Sequence, residues 1–413
     1  MLPNIVKHRD GRWLGRALSI LDSIDAFRGG DQDLALQVGD TLPPAEKLWD
    51  NHCMDISHLT LSTCLAEAGV SKIVYALVMP ETEATIDAIL GDRSSAEREG
   101  YRSAFREAWT QKQDRVHESF FDLWLAWTKP IVQLNSQQFP HRYPISGASE
   151  GLREAIHAYG VQARLEGFEP AIHVFEGEYE GYAAYARAAG IGLKTHRRSQ
   201  WRQAIDETKA TDQWYLSQPS GIDGNVWDDC DSFVGELADR VPNAQIMLDL
   251  SYVGCVARGF QVFADSPNIA AVFFSLSKPA GMYYHRIGGM WSRKEYPGLF
   301  GNKWFKNVSS LLIGSAFMSR YGVQELPRRY APQQQIAVDS LRQQLGLNLR
   351  PADILLLAIG EPSKPPSDLE RFLLRGPGEE ALVRVCLTAK MAHQIDPRLS
   401  PHVQARHYEK WTS

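Results

Sequence analysis

The sequence predicts an α/β protein, with a large domain built on a mostly parallel sheet and a smaller α+β domain at its C-terminal end. Three features predict it. At 413 residues the chain is too long for one simple core. From Tyr143 onward, helical stretches alternate with short apolar runs, the pattern of parallel strands joined by crossover helices and covered on both faces. Each apolar run passes at once into a loop containing Gly, Ser or an acid, and the strand ends of such sheets are where ligands bind.

Taken in order, residues 1 to about 60 read as an irregular arm punctuated by Gly29-Gly30 and Pro43-Pro44. Leu61 to Trp127 reads as helical. Within it Tyr101, Phe105, Trp109, Val116, Phe120 and Trp124 recur at three- and four-residue intervals, a stripe expected to pack on a core. Ala171–Phe175, Trp214–Leu216, Ile246–Leu250 and Ala270–Phe274 are the predicted strands of the large sheet. After about residue 300 come helices Lys303–Tyr321 and Pro332–Leu345, a strand Ile354–Ile359, and a strand followed by a helix within Val383–His393. The expected organisation is an N-terminal arm and helical segment (1–135), the large domain (136–300) and the small domain (301–413).

Hydrophobic residues make up 44% and charged residues 23%, an ordinary globular composition. A net charge of −5 leaves no basic excess to neutralise phosphates, which argues against a nucleic-acid partner. The five cysteines (Cys53, Cys64, Cys230, Cys255, Cys386) are scattered, odd in number and without a CxxC pair. Neither a disulfide framework nor a metal site is therefore expected, and Cys53, His58 and Cys64 match no usual zinc spacing. The first thirty residues mix charges throughout, and no run approaches the ~18 apolar residues of a membrane span. A cytoplasmic protein with reduced thiols is the expectation.

The chemistry concentrates at strand ends. Ser275-Leu276-Ser277-Lys278-Pro279-Ala280-Gly281, with Arg286, Gly288 and Gly289 beyond, sets a lysine just after a buried strand. A desolvated amine has a lowered pKa and forms Schiff bases; alone, the segment reads equally as a surface-loop lysine. Asp249-Leu250-Ser251-Tyr252 ends another apolar run with an acid and a phenol, although an acid that caps a loop has the same look. Ser146-Gly147-Ala148-Ser149 opens a helix, either as a phosphate-binding N-terminus or as an ordinary cap. Tyr179 and Tyr182 follow the strand Ala171–Phe175, placed to stack on a ring or to pack at a helix start.

Together and in this order, with Gln218-Pro219-Ser220-Gly221-Ile222-Asp223-Gly224 between the tyrosines and the acid, these segments resemble the fold-type-I pyridoxal-5′-phosphate (PLP) enzymes of the aminotransferase class I/II family. The likeness runs from about Tyr143 to the end. It implies a seven-stranded type of sheet, and Lys278 as the Schiff-base lysine and proton shuttle. It implies Asp249 against the ring nitrogen, Tyr252 and the position of Gly221 beside the ring oxygen, and Tyr179 stacked on the ring. Gly147, Ala148, Ser149, Ser275 and Arg286 would hold the phosphate. Leu382-Val383-Arg384-Val385-Cys386-Leu387 is similar to the family's Arg-Val/Ile-Ser-Leu strand, so Arg384 would grip a substrate α-carboxylate as a guanidinium fork, a position that also reads as a surface ion pair. The implied partners are a small amino-acid substrate and a second copy of the chain in a homodimer with shared active sites, with Ser309 or Ser310 as a cross-subunit phosphate contact.

The implied chemistry runs through a Lys278 Schiff base and a quinonoid, with amino transfer first and β/γ-elimination, replacement or cyclisation in natural-product biosynthesis second. S-adenosylmethionine is a γ-activated substrate that would suit the second. Three departures bear on that choice. Gly221 stands where the family usually has an asparagine, Pro279 follows the lysine directly, and Glu178 precedes the stacking tyrosine.

Overall fold

The computed structural model describes residues 56–91, 96–110, 114–305 and 307–399. The proposed N-terminal arm lies almost wholly outside them. Seven strands build the large sheet: β1 (His141–Ile145), β2 (Ala171–Phe175), β3 (Gly192–His196), β4 (Gln213–Ser217), β5 (Gln245–Asp249), β6 (Ile269–Ser275) and β7 (Gly288–Ser292). Their order is β1-β7-β6-β5-β4-β2-β3; β7 runs antiparallel to both neighbours, and the β2, β3, β4, β5 and β6 pairings are all parallel.

Alternation along β6 shows why the sheet is covered twice. Val272 and Phe274 point into one core, Ala271 and Phe273 into the other. The helices of the N-terminal segment are α1 (Ile56–Glu67), α2 (Pro80–Leu90), α3 (Ala96–Thr110) and α4 (Asp114–Thr128). The stripe of α4 does what its periodicity predicts: Trp124 stacks on Phe274 with ring centroids 4.2 Å apart, and Phe120 and Phe121 flank it. On the opposite face lies α5 (Ala148–Glu166), burying Leu152, Ala155, Ile156 and Tyr159. The strand that delivers Lys278 is thus clamped between aromatic and aliphatic layers, and truncating Trp124 to Ala would cost about 3–5 kcal/mol.

Beyond the sheet strands lie α6 (Gly181–Ala189), α7 (Cys230–Arg240), α8 (Val308–Arg320), α9 (Glu325–Leu345) and α10 (Thr388–Ile395). A four-stranded antiparallel sheet, β8 (Leu349–Pro351), β9 (Leu357–Gly360), β10 (Leu374–Arg375) and β11 (Leu382–Cys386), takes the order β8-β9-β11-β10. None of the described helices is long and apolar enough to cross a membrane.

Several boundaries differ from the sequence expectation. The stretch from Leu61 to Trp127 is interrupted between α1 and α2 by a non-helical segment, in which Ser71 pairs with Cys386 of β11. The helix expected over Lys303–Tyr321 begins afresh at Asn307, whose side chain caps the Ser310 amide; Asn302–Phe305 is a separate turn. Helix α9 starts seven residues before Pro332, which sits exposed inside it rather than at its first turn. The expected strand Ile354–Ile359 loses its first half because the Ile354 and Leu355 amides donate to the Gly224 and Cys255 carbonyls.

Candidate active site

Three strand ends and one helix start meet at the carboxyl edge of the large sheet. At the start of α5, Gly147 adopts φ 79°, and a Cβ there would lie 2.8 Å from Arg286 Nη2 and 3.5 Å from Ser275 Oγ. Glycine therefore keeps open a cradle faced by a guanidinium, a hydroxyl and the first-turn amides of a long helix, a donor set suited to an anion. Arg286 donates to the Ser146 carbonyl at 2.5 Å and to Ser149 Oγ at 3.1 Å. It holds φ 52°, the sole described non-glycine residue at positive φ, a conformation that costs on the order of 1–3 kcal/mol and has to be held by its surroundings.

At the end of β5, Asp249 is buried and accepts from Ser251 N at 2.9 Å, Ser251 Oγ at 2.6 Å and the Tyr182 hydroxyl at 3.3 Å. Burial raises its pKa against the pull of these three donors. Burial likewise pushes the Tyr252 phenol up. Tyr179 meets Tyr182 edge-on at 5.5 Å and remains 42% exposed, which leaves its ring open for contact.

Lys278 follows β6. Its amine donates to the Val74 carbonyl in the segment between α1 and α2, and burial lowers its pKa, the direction that favours a nucleophilic amine. Arg384 on β11 is 6% exposed and gives its guanidinium to the Gly221 and Ile222 carbonyls. It forms no ion pair among the described residues, so the alternative reading of it as a surface salt bridge does not hold; burial, with Arg375 nearby, lowers its pKa to about 10.

One cavity of about 1220 Å³ gathers all of them: Gly147, Ala148, Ser149, Tyr179, Gly221, Asp249, Tyr252, Ser275, Lys278, Arg286 and Arg384. That exceeds the ~300–1,000 Å³ of a typical ligand pocket. Ser309 and Ser310 are not in its wall: Ser309 Oγ bonds the Tyr101 hydroxyl, and Ser310 Oγ donates to the His285 carbonyl. Asn225 does not fill the place beside Gly221, since its side chain accepts from the Asp353 amide. Glu178 and Ser217, which carried no assigned role from sequence, do line the cavity at that place.

No protein-family profile matches the chain, and no curated protein sequence matches it. Solved structures do. A PLP-bound C–S lyase from Staphylococcus hominis superposes with a TM-score of 0.53 at 14% identity, over 67% of this chain and 80% of that one. An aminotransferase from Staphylococcus aureus gives 0.52 at 16% identity over 79% and 91%. A Thermus thermophilus aspartate aminotransferase variant gives 0.53 at 12% identity over 72% and 92%. The fold is that of the fold-type-I PLP enzymes.

The residues present fit that cofactor on their own geometry. A phosphate suits the cradle that a Cβ at 147 would fill. Ser277 Oγ, buried in the same wall, has no hydrogen-bond partner among the described residues, and such an orphan calls for a polar ligand. In fold-type-I terms, the lysine, the acid and the anion cradle all open onto one space.

Proposed function

We propose that this protein is a PLP-dependent enzyme acting on an α-amino acid, most simply an aminotransferase. The observation that carries the reading is a desolvated lysine amine and a buried arginine with no ion pair among the described residues, in the same cavity wall as Asp249 and the Gly147–Arg286 cradle. PLP, when bound, supplies an aldehyde for the amine and a ring that withdraws electrons from the substrate Cα. Gly147, Ala148, Ser149, Ser275 and Arg286 hold its phosphate, Tyr179 packs on its ring, Asp249 keeps its nitrogen protonated, and Tyr252 faces its ring oxygen. Arg384 fixes the substrate carboxylate and orients the Cα–H toward Lys278, which takes and returns the proton. A cytoplasmic homodimer completes the proposal, in keeping with the habit of closed two-fold assemblies.

The test is to add PLP to the purified protein and to Lys278→Ala, then offer a panel of amino acids with keto-acid acceptors. Visible absorbance dependent on Lys278, with product masses showing the amino group moved to the acceptor, is the expected result. A wild-type protein that remains colourless, or a variant that binds PLP covalently, defeats the assignment. A second reading, elimination, replacement or cyclisation with substrates such as S-adenosylmethionine, is favoured by Gly221 with Glu178 beside it. Release of the γ-leaving group without any amino transfer would select it.

A further inference from the structure

Among the acids that line this cavity and that the preceding reading leaves idle, Glu178 is the buried one. It is 6% exposed, lines the cavity, and forms no ion pair among the described residues. Both its carboxyl oxygens lie on one hydroxyl: Ser217 Oγ is 2.8 Å from Oε1 and 2.6 Å from Oε2, and the Ser217 amide adds a long contact of 3.4 Å. Ser217 Oγ also accepts from the Gly221 amide at 2.7 Å. One hydroxyl hydrogen cannot serve two carboxylate oxygens, so this pocket is built poorly for a buried anion and well for a protonated acid.

The position is as telling as the protonation. Ser217 ends β4 directly opposite Asp249 at the end of β5, so the two carboxyls share one rim. A Cβ on Gly221 would come to 3.2 Å from Glu178 Oε2 and 3.4 Å from Ser217 Oγ. The glutamate therefore occupies the space into which a side chain at 221 would project. The charged and titratable groups around it are Asp249 from β5, Tyr182 from α6, Cys230 from α7 and Arg198, which is itself paired to Asp223 at 2.6 Å. Burial, opposed by the Ser217 hydrogen bonds and reinforced by Asp249, raises Glu178 to about 7.

Resting on the PLP reading above, we propose that Glu178 is a hydrogen-bond donor and proton-carrying residue of the cofactor pocket, standing where Gly221 offers no side chain. Its O–H points a proton at an acceptor atom of the bound group; if the proton passes over, the O–H electrons stay on the carboxylate, which Ser217 then holds as donor. No oxidant or second reactant enters.

The test is a spectral titration of the PLP-loaded protein across about pH 5 to 9, a window that brackets a carboxyl raised toward neutrality. Wild type is expected to show a transition near neutral pH. In Glu178→Gln, which keeps a donor and loses the titration, that transition disappears while the Lys278-dependent colour stays. In Glu178→Ala, which loses the donor, PLP affinity measured by reconstitution falls about tenfold, the cost of one buried hydrogen bond. Ser217→Ala leaves the acid in place without its anchor, so the wild-type transition moves to higher pH. A Glu178→Gln protein that titrates like wild type overturns the proposal and gives the transition to Asp249; a Ser217→Ala midpoint that does not move overturns it as well. Failure of wild type to colour at all, by contrast, defeats the cofactor reading itself.

Discussion

The two ends of strand β4 each hold a buried carboxyl, and the two are treated in opposite ways. At the amino end, Asp212 takes His173 Nε2 at 2.8 Å, the Lys209 amide at 3.0 Å and Lys194 Nζ at 3.4 Å. Burial raises its pKa, but those partners outweigh it and the net shift is downward. His173 passes the link on to His196 at 2.9 Å, and the two rings lie nearly parallel, 9° apart. At the carboxyl end, the acid held by Ser217 has a hydroxyl and no cation at ion-pair distance among the described residues, and its shift is upward. Burial is common to both and so marks neither as functional. The partners decide: an acid whose one oxygen takes an imidazole, an amide and a lysine is a fastening, and the acid served by one hydroxyl at the cavity wall is the one proposed to carry a proton.

Substitutions can break this contrast, and the largest effect belongs to the rim acids. Asp249→Asn in the PLP-loaded protein is expected to lower turnover about 10³-fold, the size of losing one electrostatic contact to developing charge, while unfolding in urea is not weakened. Asp212→Ala should do the reverse. It leaves His173 and Lys194 without their acid and costs about 3–5 kcal/mol of stability with cofactor affinity intact. If Asp212→Ala instead lost PLP binding before it lost stability, the division between fastening and reagent would be wrong.

Proton linkage sharpens the contrast because the two ends have opposite slopes. Glu178 goes from an ordinary 4.5 to about 7 on folding, so the native state holds a proton that the unfolded chain has shed. Its contribution is full below about pH 4.5 and is lost as pH rises through 7, a fall of about 3 kcal/mol. His196, driven by burial and by His173 from 6.5 to about 4, behaves the other way: the unfolded chain binds the proton first, so stability rises between pH 4 and 6.5, by about 2 kcal/mol given its partial exposure. Urea midpoints measured across this range for wild type, Glu178→Gln and His196→Phe should separate the two, the first variant steepening the rise with pH and the second steepening the fall. Gly147→Ala comes last, about 1–3 kcal/mol, because φ 79° with ψ 163° is backbone essentially reserved for glycine. It should also weaken inorganic phosphate binding by calorimetry, because the new methyl would crowd Arg286.

Much of this was legible in the sequence, and what was not has a physical cause. The interior strands β2, β4, β5 and β6 are apolar on both faces and declare themselves as runs. The edges do not: β1 contains Pro144, and β3 is mostly exposed. Strand β7 opens on Gly288, where a Cβ would lie 2.5 Å from the Phe274 carbonyl and 2.9 Å from Gly147 Cα, so close packing has erased its apolar signal. Pro332 inside α9 read as a start because a proline is usually tolerated only there. In the site, Lys278, Asp249 and Arg286 stood out because each follows a strand or turn with a recognisable local pattern. The pairing of Glu178 with Ser217 did not, since it joins positions 39 residues apart and exists only once β2 and β4 lie side by side.

A short run of backbone contacts ties the two sheets together beside the cavity. The Lys278 amine rests on the Val74 carbonyl, and three residues earlier Ser71 exchanges both backbone bonds with Cys386, two residues from Arg384. An imine at Lys278, as proposed, would leave that nitrogen at most one hydrogen, where the free amine has two or more to offer Val74. The segment that receives the Lys278 amine is thus a short tether whose other end is fastened to β11, the strand of Arg384, so a single stretch of backbone spans the two sheets at the cavity.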